Sequence, residues 1–441
     1  MADDAKMRPA PAPLHESPQV HAPIALLEWE LTAAPMSLAL QREFQLARVL
    51  VRHQGRPLGW LQLVQPGQRI SHARLRRELV VQLPQAALRS VVRQQLDADL
   101  PPATALATPF ISVVVCTRDR TDSLAQCLDA LLAMSYPSFE IIVVDNAPTT
   151  AMTSDCVARL RRGNARAHDL LRHVHEFTPG LDWARNRGLR ESRGEIVAYT
   201  DDDVRVDARW LHGLQQGFAN DATQLVTGLV APAELETDAQ VIFEDFYGGM
   251  GKGMRAGVLL HTELYAHTRL GAHHVGVGAN LAIRRQWLHA LGGFDTALDV
   301  GTASHGGGDL DIIFRTLAAG GVIRYEPSAL VHHHHRREMP ALQRQLRDNG
   351  RAFGVYLLTR WSRHEERRLD VARYAFGTWL LWMVRRVPRR LLRREKLSIP
   401  LQLQEWLGVA SAPWAWFVSY RHDRNLRRRH ELSGNTTVAE S

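Results

Sequence analysis

The stretch Glu195-Ile-Val-Ala-Tyr-Thr-Asp-Asp-Asp203 decides the fold. Its apolar run has the character of a buried strand, and it ends in consecutive carboxylates. Like charges this close repel one another, and removing them from water is costly. A divalent cation relieves both problems. Hard cations prefer oxygen ligands, and Mg²⁺ characteristically keeps one or two carboxylates plus substrate phosphates. The cluster therefore reads as a site for a metal and a phosphorylated substrate. The competing reading is a solvated acidic turn capping a helix that starts near Asp207.

Upstream, the same grammar repeats. Ile111-Ser-Val-Val-Val-Cys-Thr117 is a continuous β-rich run. Leu124, Cys127, Leu128, Leu131 and Leu132 then recur at helical spacing, with Thr121 as the expected N-cap. Glu140-Ile-Ile-Val-Val-Asp145 is a second strand, 170–175 a third, and a helix over 182–191 leads into the acidic run. Strand and helix alternate, so the fold class is α/β: a mostly parallel sheet with helices on both faces. Ligands bind such sheets beyond the C-terminal strand ends. Those ends are Thr117-Arg118-Asp119, Asp145-Asn146 and Asp201-Asp202-Asp203, and side by side they form one pocket.

The chain has 441 residues, enough for two or three domains, with 45% apolar and 23% charged residues. Residues 1–22, rich in Pro, Ala and His, are expected to be disordered. A small β-rich domain is expected over 23–100, a Pro-rich linker over 101–109 and the α/β domain over 110–345. A helical, Arg- and Trp-rich region follows over 346–430, then a disordered tail over 431–441. The net charge of +8 points to an anionic partner: lipid, nucleotide phosphate or nucleic acid. The three cysteines give neither a disulfide framework nor metal spacing. The N-terminus lacks signal-peptide order, and the apolar stretch 374–384 is too short to span a bilayer. The expected location is cytoplasmic, at most peripheral on the inner face of the membrane.

Further residues could carry chemistry. Asp145 could accept hydrogen bonds from a nucleobase or ribose, or cap its own turn. Arg185 and Arg187 could offset phosphates, or form an exposed basic helix face. In Gly306-Gly-Gly-Asp-Leu-Asp311, glycines precede two carboxylates at a helix start. N-capping competes there with a general base at the edge of a pocket. Of His332-His-His-His335, only one alternating face can point inward on an extended chain. Asn280 could bond a sugar hydroxyl or simply shape a turn.

Taken in order, these pieces resemble the family 2 glycosyltransferases, which are inverting and have the GT-A fold. The pieces are Val113-Val-Val-Cys-Thr-Arg118, Ile142-Val-Val-Asp145, Ala184-Arg-Asn186 and Gly194 through Asp203. Gly278-Ala-Asn280, Gly292-Gly-Phe-Asp295, Gly308-Asp-Leu-Asp311 and Tyr325-Glu-Pro327 complete the set. The resemblance implies a nucleoside-diphosphate sugar as donor, Mn²⁺ or Mg²⁺ as cofactor, and transfer to an acceptor hydroxyl. It implies Asp145 at the nucleoside, with Thr117, Arg118, Asp119, Arg185, Asp201 and Asp202 around the donor. Asp201 and Asp203 match the Asp-x-Asp motif, and His333 or His335 matches a histidine near the metal. Asp309 matches the catalytic base, with Asn280, Gly308 and Asp311 on the acceptor side. Gly308 stands where many members have Glu.

The expected acceptor is a saccharide or a lipid-linked glycan, as in polysaccharide or cell-envelope synthesis. The aromatic and Arg-rich segments within 374–420 suit an anionic membrane interface, or else a helical subdomain packed on the core. Two other functions compete: a metal-dependent nucleotidyltransferase, and a non-enzymatic basic scaffold on membrane or nucleic acid. The basic run carries no nucleic-acid motif, so no nucleic-acid partner is expected.

Overall fold

The computed structural model describes residues 22–34, 37–42, 44–98, 108–259, 269–392 and 399–438. The expected disordered start and linker fall outside these residues, apart from Ala22, Thr108 and Pro109.

Mainly apolar runs build an N-terminal sheet of β1 (Ile24–Glu30), β2 (Leu46–His53) and β3 (Arg56–Val64). The β2–β3 hairpin closes through Gln54 and Gly55, both at positive φ, a tighter turn than 53–57. Helices α1 (His72–Gln82) and α2 (Gln85–Ala98) follow.

The central sheet comprises β4 (Ile111–Thr117), β5 (Phe139–Asn146), β6 (Leu171–Glu176), β7 (Ile196–Asp201), β8 (Val204–Val206), β9 (Thr223–Pro232), β10 (Gly257–Leu259), β11 (Asn280–Arg284) and β12 (Val322–His333). Their order is β8-β12-β9-β11-β7-β4-β5-β6, with β10 on β12. Strands β4 to β7, β9 and β12 run one way, and the short β8, β10 and β11 run against them. The sheet is therefore mostly parallel in direction. Consecutive side chains of β4 enter opposite cores. Val113 and Val115 pack with α3 (Thr121–Leu132), whereas Val114 packs with α5 (Leu181–Glu191) and α8 (Gly308–Ala318). Burial on both faces explains why these strands read as unbroken apolar runs. Helices α4 (Met152–Gly163), α6 (Trp210–Gly217) and α7 (Asp238–Phe246) fill the remaining crossovers. Two helix starts differ from expectation: Thr121 is the first residue of α3 rather than its cap, and α6 begins at Trp210.

The N-terminal sheet packs on the edge of the central one. Leu50 and Trp60 meet Leu229, Ala231 and Leu330, and Arg52 pairs with Asp207 at 2.6 Å. Beyond β12, α9 (Met339–Arg363) crosses the boundary expected at 345. The short helix α10 (Leu381–Leu392) leads to α11 (Ile399–Val438), which extends as helix into the stretch expected as a tail. Residues 439–441 lie outside the described residues. A Cβ at Gly408 would stand 2.0 Å from the Arg347 carbonyl oxygen, so glycine lets α9 and α11 touch backbone to backbone. Tyr420 on α11 reaches Asp295 (3.2 Å) and Thr359 (3.1 Å), tying α11 to the central domain. Among the described residues, no helix is long and apolar enough to cross a membrane.

Candidate active site

Asp201 is the last residue of β7, and Asp202 and Asp203 form the turn into β8. Strand pairing sets Val204 opposite His333. One ligand atom each from Asp201, Asp203 and His333 therefore lies within 4.8 Å of the others. His333 Nε2 is 3.4 Å from Asp203 Oδ1. Arg120 donates to Asp202 (2.7 Å) and Asp203 (2.8 Å), and Thr117 donates to Asp202 (2.7 Å). Arg185 Nη2 stands 4.0 Å from Asp201.

The three carboxyls titrate differently. Burial, and then the Asp203 charge, push Asp201 up to about 7. Burial lifts Asp202 to about 6, despite Arg120 and Thr117. Burial also acts on Asp203, but basic neighbours outweigh it and hold this carboxyl below its usual range. Burial drops His333 to about 4, so its ring is neutral at pH 7 and fit to donate a lone pair to a metal. The lasting positive charge on Asp203 therefore comes from Arg120 and Arg336, and one carboxylate of the set is left short of it.

The histidine run departs from simple alternation. The strand expected over 322–326 continues to His333, and both its faces are covered there. His332 points to the N-terminal sheet, 3.1 Å from Glu28, while His333 faces the carboxylates. His335 corrects the expectation of a second metal ligand. Its Nδ1 lies 3.2 Å from that of His333 and its Nε2 3.0 Å from Glu244, one step removed from Asp203.

The second acidic site begins at Gly307, whose φ of 113° turns the chain into α8. Asp309 accepts hydrogen bonds from the Gly278 and Leu310 amides, both at 2.9 Å. Arg185 stands between the two acidic sites: it donates to Asp182 at 2.9 Å and lies in the field of Asp201 and Asp309. The departure at Gly308 has a structural counterpart. A Cβ there would lie 1.9 Å from Asp182 Oδ2, so the Asp182 carboxyl fills the room a side chain would take. Burial pushes that carboxyl well above its usual range. Asp299 caps α5, accepting from the Leu181 and Asp182 amides at 2.7 Å.

Several expected donor and acceptor contacts are already engaged. Asn280 is 1% exposed, donates to the Leu229 and Ala329 carbonyls and accepts from Trp210 Nε1, so no sugar hydroxyl reaches it. Asp311 is fully buried between Arg315 and Arg360, which removes it from the acceptor side. Thr117 and Asp202 satisfy one another rather than a donor. Asp119, at φ 52°, accepts from the Thr149 amide and hydroxyl, and Arg118 is exposed beside it. Asp145 ends β5 with its carboxylate enclosed, accepting no hydrogen bond, 3.5 Å from His173 and 3.9 Å from His175. The His175 ring stacks on Phe177.

Residues 112–292 match the model of "Glycosyl transferase family 2". This segment belongs to that family. The chain aligns with a pre-mycofactocin glycosyltransferase of Mycobacterium tuberculosis, 26% identical over 52% of this chain and 43% of that protein. It also aligns with a glucosyl-dolichyl phosphate glucuronosyltransferase of Haloferax volcanii, 25% identical over 42% of this chain and 56% of the relative. The chain thus spans about half the length of the curated relatives it matches. Among solved structures, a mannosyltransferase from Pyrobaculum calidifontis in complex with GDP-Man and Mn²⁺ covers 74% of this chain and 94% of its own. It is 17% identical, with a TM-score of 0.48.

Sequence reading of the family 2 segment missed Arg120, Asp182 and Glu244. Arg120 lay two residues past the quoted strand motif, and Asp182 read as a plain helix opening. Glu244 precedes Tyr247-Gly-Gly-Met-Gly-Lys-Gly-Met254, a glycine-dense signal inside a long loop.

Proposed function

We propose that the chain is an inverting, metal-dependent glycosyltransferase that moves a sugar from a nucleoside-diphosphate sugar to an acceptor hydroxyl. One observation carries this reading: Arg185 faces both the Asp201–Asp203–His333 cluster and Asp309. Asp309 takes the acceptor proton while the acceptor oxygen attacks the anomeric carbon and the bond to the diphosphate breaks. Two backbone amides orient Asp309 for that role. Asp203, with Asp201 and His333, would hold Mn²⁺ or Mg²⁺, which supplies charge neutralisation for the departing diphosphate. Arg185 adds a fixed positive charge beside it, and Asp145 serves the nucleoside. A thermal-shift screen of sugar nucleotides with Mn²⁺ tests the reading, since a bound donor raises apparent stability. Asp309→Asn should keep the donor-induced shift and lose transfer; unchanged turnover removes Asp309 from the role.

The acceptor in this reading is a lipid-linked or growing glycan met at an anionic membrane surface. Along α11, Leu403, Leu407, Trp414 and Phe417 are exposed at heptad intervals, and the same stripe continues as exposed Arg421, Arg424 and Arg428. Phe376 and Trp382 are exposed on the preceding helices. Aromatic residues beside arginines match an interface carrying negative headgroups. Flotation with phosphatidylglycerol vesicles should drop for a variant carrying Trp414→Ser, Phe417→Ser, Arg421→Glu and Arg424→Glu. Equal flotation of the two proteins would sink the membrane contact.

A further inference from the structure

Among the described residues, a second group besides Asp201, Asp203 and His333 has the spacing of metal ligands: Asp145, His173 and His175. One ligand atom from each lies within 4.8 Å of the other two. Strand geometry brings them together. Strands β5 and β6 run parallel, and Asp145 pairs across the ladder with His175. Side chains two apart on a strand share a face, so His173 joins the same side. The His173 and His175 rings meet edge to face, with centroids 4.6 Å apart. Phe177 stacks on the His175 ring and braces it from outside.

The Asp145 carboxylate is buried, and neither of its oxygens accepts a hydrogen bond. His173 Nε2 is enclosed in the same way, without a hydrogen-bond partner. Buried polar atoms left unsatisfied side by side are costly, and an ion held between them removes that cost. Both rings approach the same oxygen. His173 Nε2 is 3.5 Å from Asp145 Oδ2, and His175 Nδ1 is 3.9 Å from it. Ligand bonds of about 2.0–2.2 Å in a tetrahedral site set neighbouring ligand atoms about 3.3 Å apart. A small inward shift of the rings therefore completes the geometry. The His175 side chain is 42% exposed, which leaves a way in for an ion.

The donor set also indicates which cation. Imidazole nitrogen suits Zn²⁺, whereas carboxylate oxygen suits Mg²⁺ and Mn²⁺. Two imidazoles and one carboxylate make a zinc-type set, and three protein ligands leave a fourth position for an exchangeable one. The Asp201–Asp203–His333 cluster has the opposite ratio. We infer that Asp145, His173 and His175 form a second cation site, separate from that cluster, and that it takes Zn²⁺. The inference goes beyond the glycosyl-transfer reading and does not need it. It does draw on Asp145, which that reading gives to the nucleoside. Two ligands on one carboxylate are linked, so each changes the other's affinity.

Calorimetry without nucleotide tests the site. Zn²⁺ is titrated into the full chain and into Asp203→Asn, which removes a ligand of the other cluster. In either background, His173→Gln and His175→Gln should each weaken one Zn²⁺ site at least about tenfold, since even groups that only support a ligand are worth 10–100-fold. Melting temperatures without metal show that the variants are folded, and the partly exposed His175 is the gentler replacement. A folded variant of either ring that leaves every Zn²⁺ site as tight as before overturns the inference, as does a parent chain that binds no Zn²⁺. His175→Gln should also leave Mn²⁺ binding at the Asp203 cluster in place; its loss there would merge the two sites and overturn their separation. Failure of the Asp203 metal reading shows differently, as Mn²⁺ binding that Asp203→Asn does not weaken, whatever the Zn²⁺ titrations give.

Discussion

Asp201-Asp-Asp203 and Asp309-Leu-Asp311 have the same spacing of two aspartates and opposite fates. The first pair sits where a strand gives way to a turn. There both carboxyls swing to one side and meet His333. The second pair sits in the first turn of α8. Residues two apart on a helix point away from one another, so Asp309 turns to the Gly278 amide while Asp311 enters the core. Arg315 and Arg360 then neutralise Asp311, whereas the strand-end cluster keeps a carboxylate without a full counter-charge. Backbone geometry, more than the count of acidic residues, decides which aspartates can call for a cation.

Exchanging the two fates is the sharpest way to break this comparison. Asp311→Asn takes from Arg360, itself fully buried, its one fully buried carboxylate partner and leaves only the partly exposed Glu365. Breaking a buried pair from one side costs about 3–5 kcal/mol, so urea unfolding should show a loss of that size. The same variant should bind Mn²⁺ like the parent. Asp203→Asn should do the reverse. Its Mn²⁺ affinity should fall about 100-fold, since even groups that only support a ligand are worth 10–100-fold. Its unfolding midpoint should fall by less, because the partner it leaves, Arg120, is partly exposed and keeps Asp202. If Asp311→Asn lost Mn²⁺ binding and Asp203→Asn kept it, the roles assigned to the two pairs would be wrong.

Much of the fold was legible for a simple reason. Strands buried on both faces must be apolar throughout, and β4, β5 and β7 announce themselves that way. The alternation with helices then requires a largely parallel sheet, and the polar strand ends mark where a ligand sits. Legibility failed where a residue's partner is distant in sequence. Asn280 looked free because its partners, on Trp210, Leu229 and Ala329, come from other elements. Asp311 looked available because Arg360 is 49 residues away. The histidine run was misjudged because the N-terminal sheet buries the second face of β12, so His332 and His333 are both covered.

The smallest effect concerns protons at the strand-end cluster. Asp201 is pushed up to about 7, first by burial and then by the Asp203 charge. A metal must displace the proton from that carboxyl, so apparent Mn²⁺ affinity should rise with pH up to about 7 and level off above it. With a single site titrating there, affinity at pH 8 should exceed that at pH 6 by about tenfold. His333 cannot produce this slope, because its ring is already neutral from about pH 5 upward. Asp309→Asn supplies the contrast: the helix-side carboxyl is no part of the cation set, so its loss should leave the profile in place. Calorimetric titration of Mn²⁺ between pH 5.5 and 8 reads the effect directly. A flat profile in the parent would mean that Asp201 is ionised throughout, and that Arg120, Arg185 and Arg336 neutralise the strand-end cluster as completely as Arg315 and Arg360 neutralise Asp311.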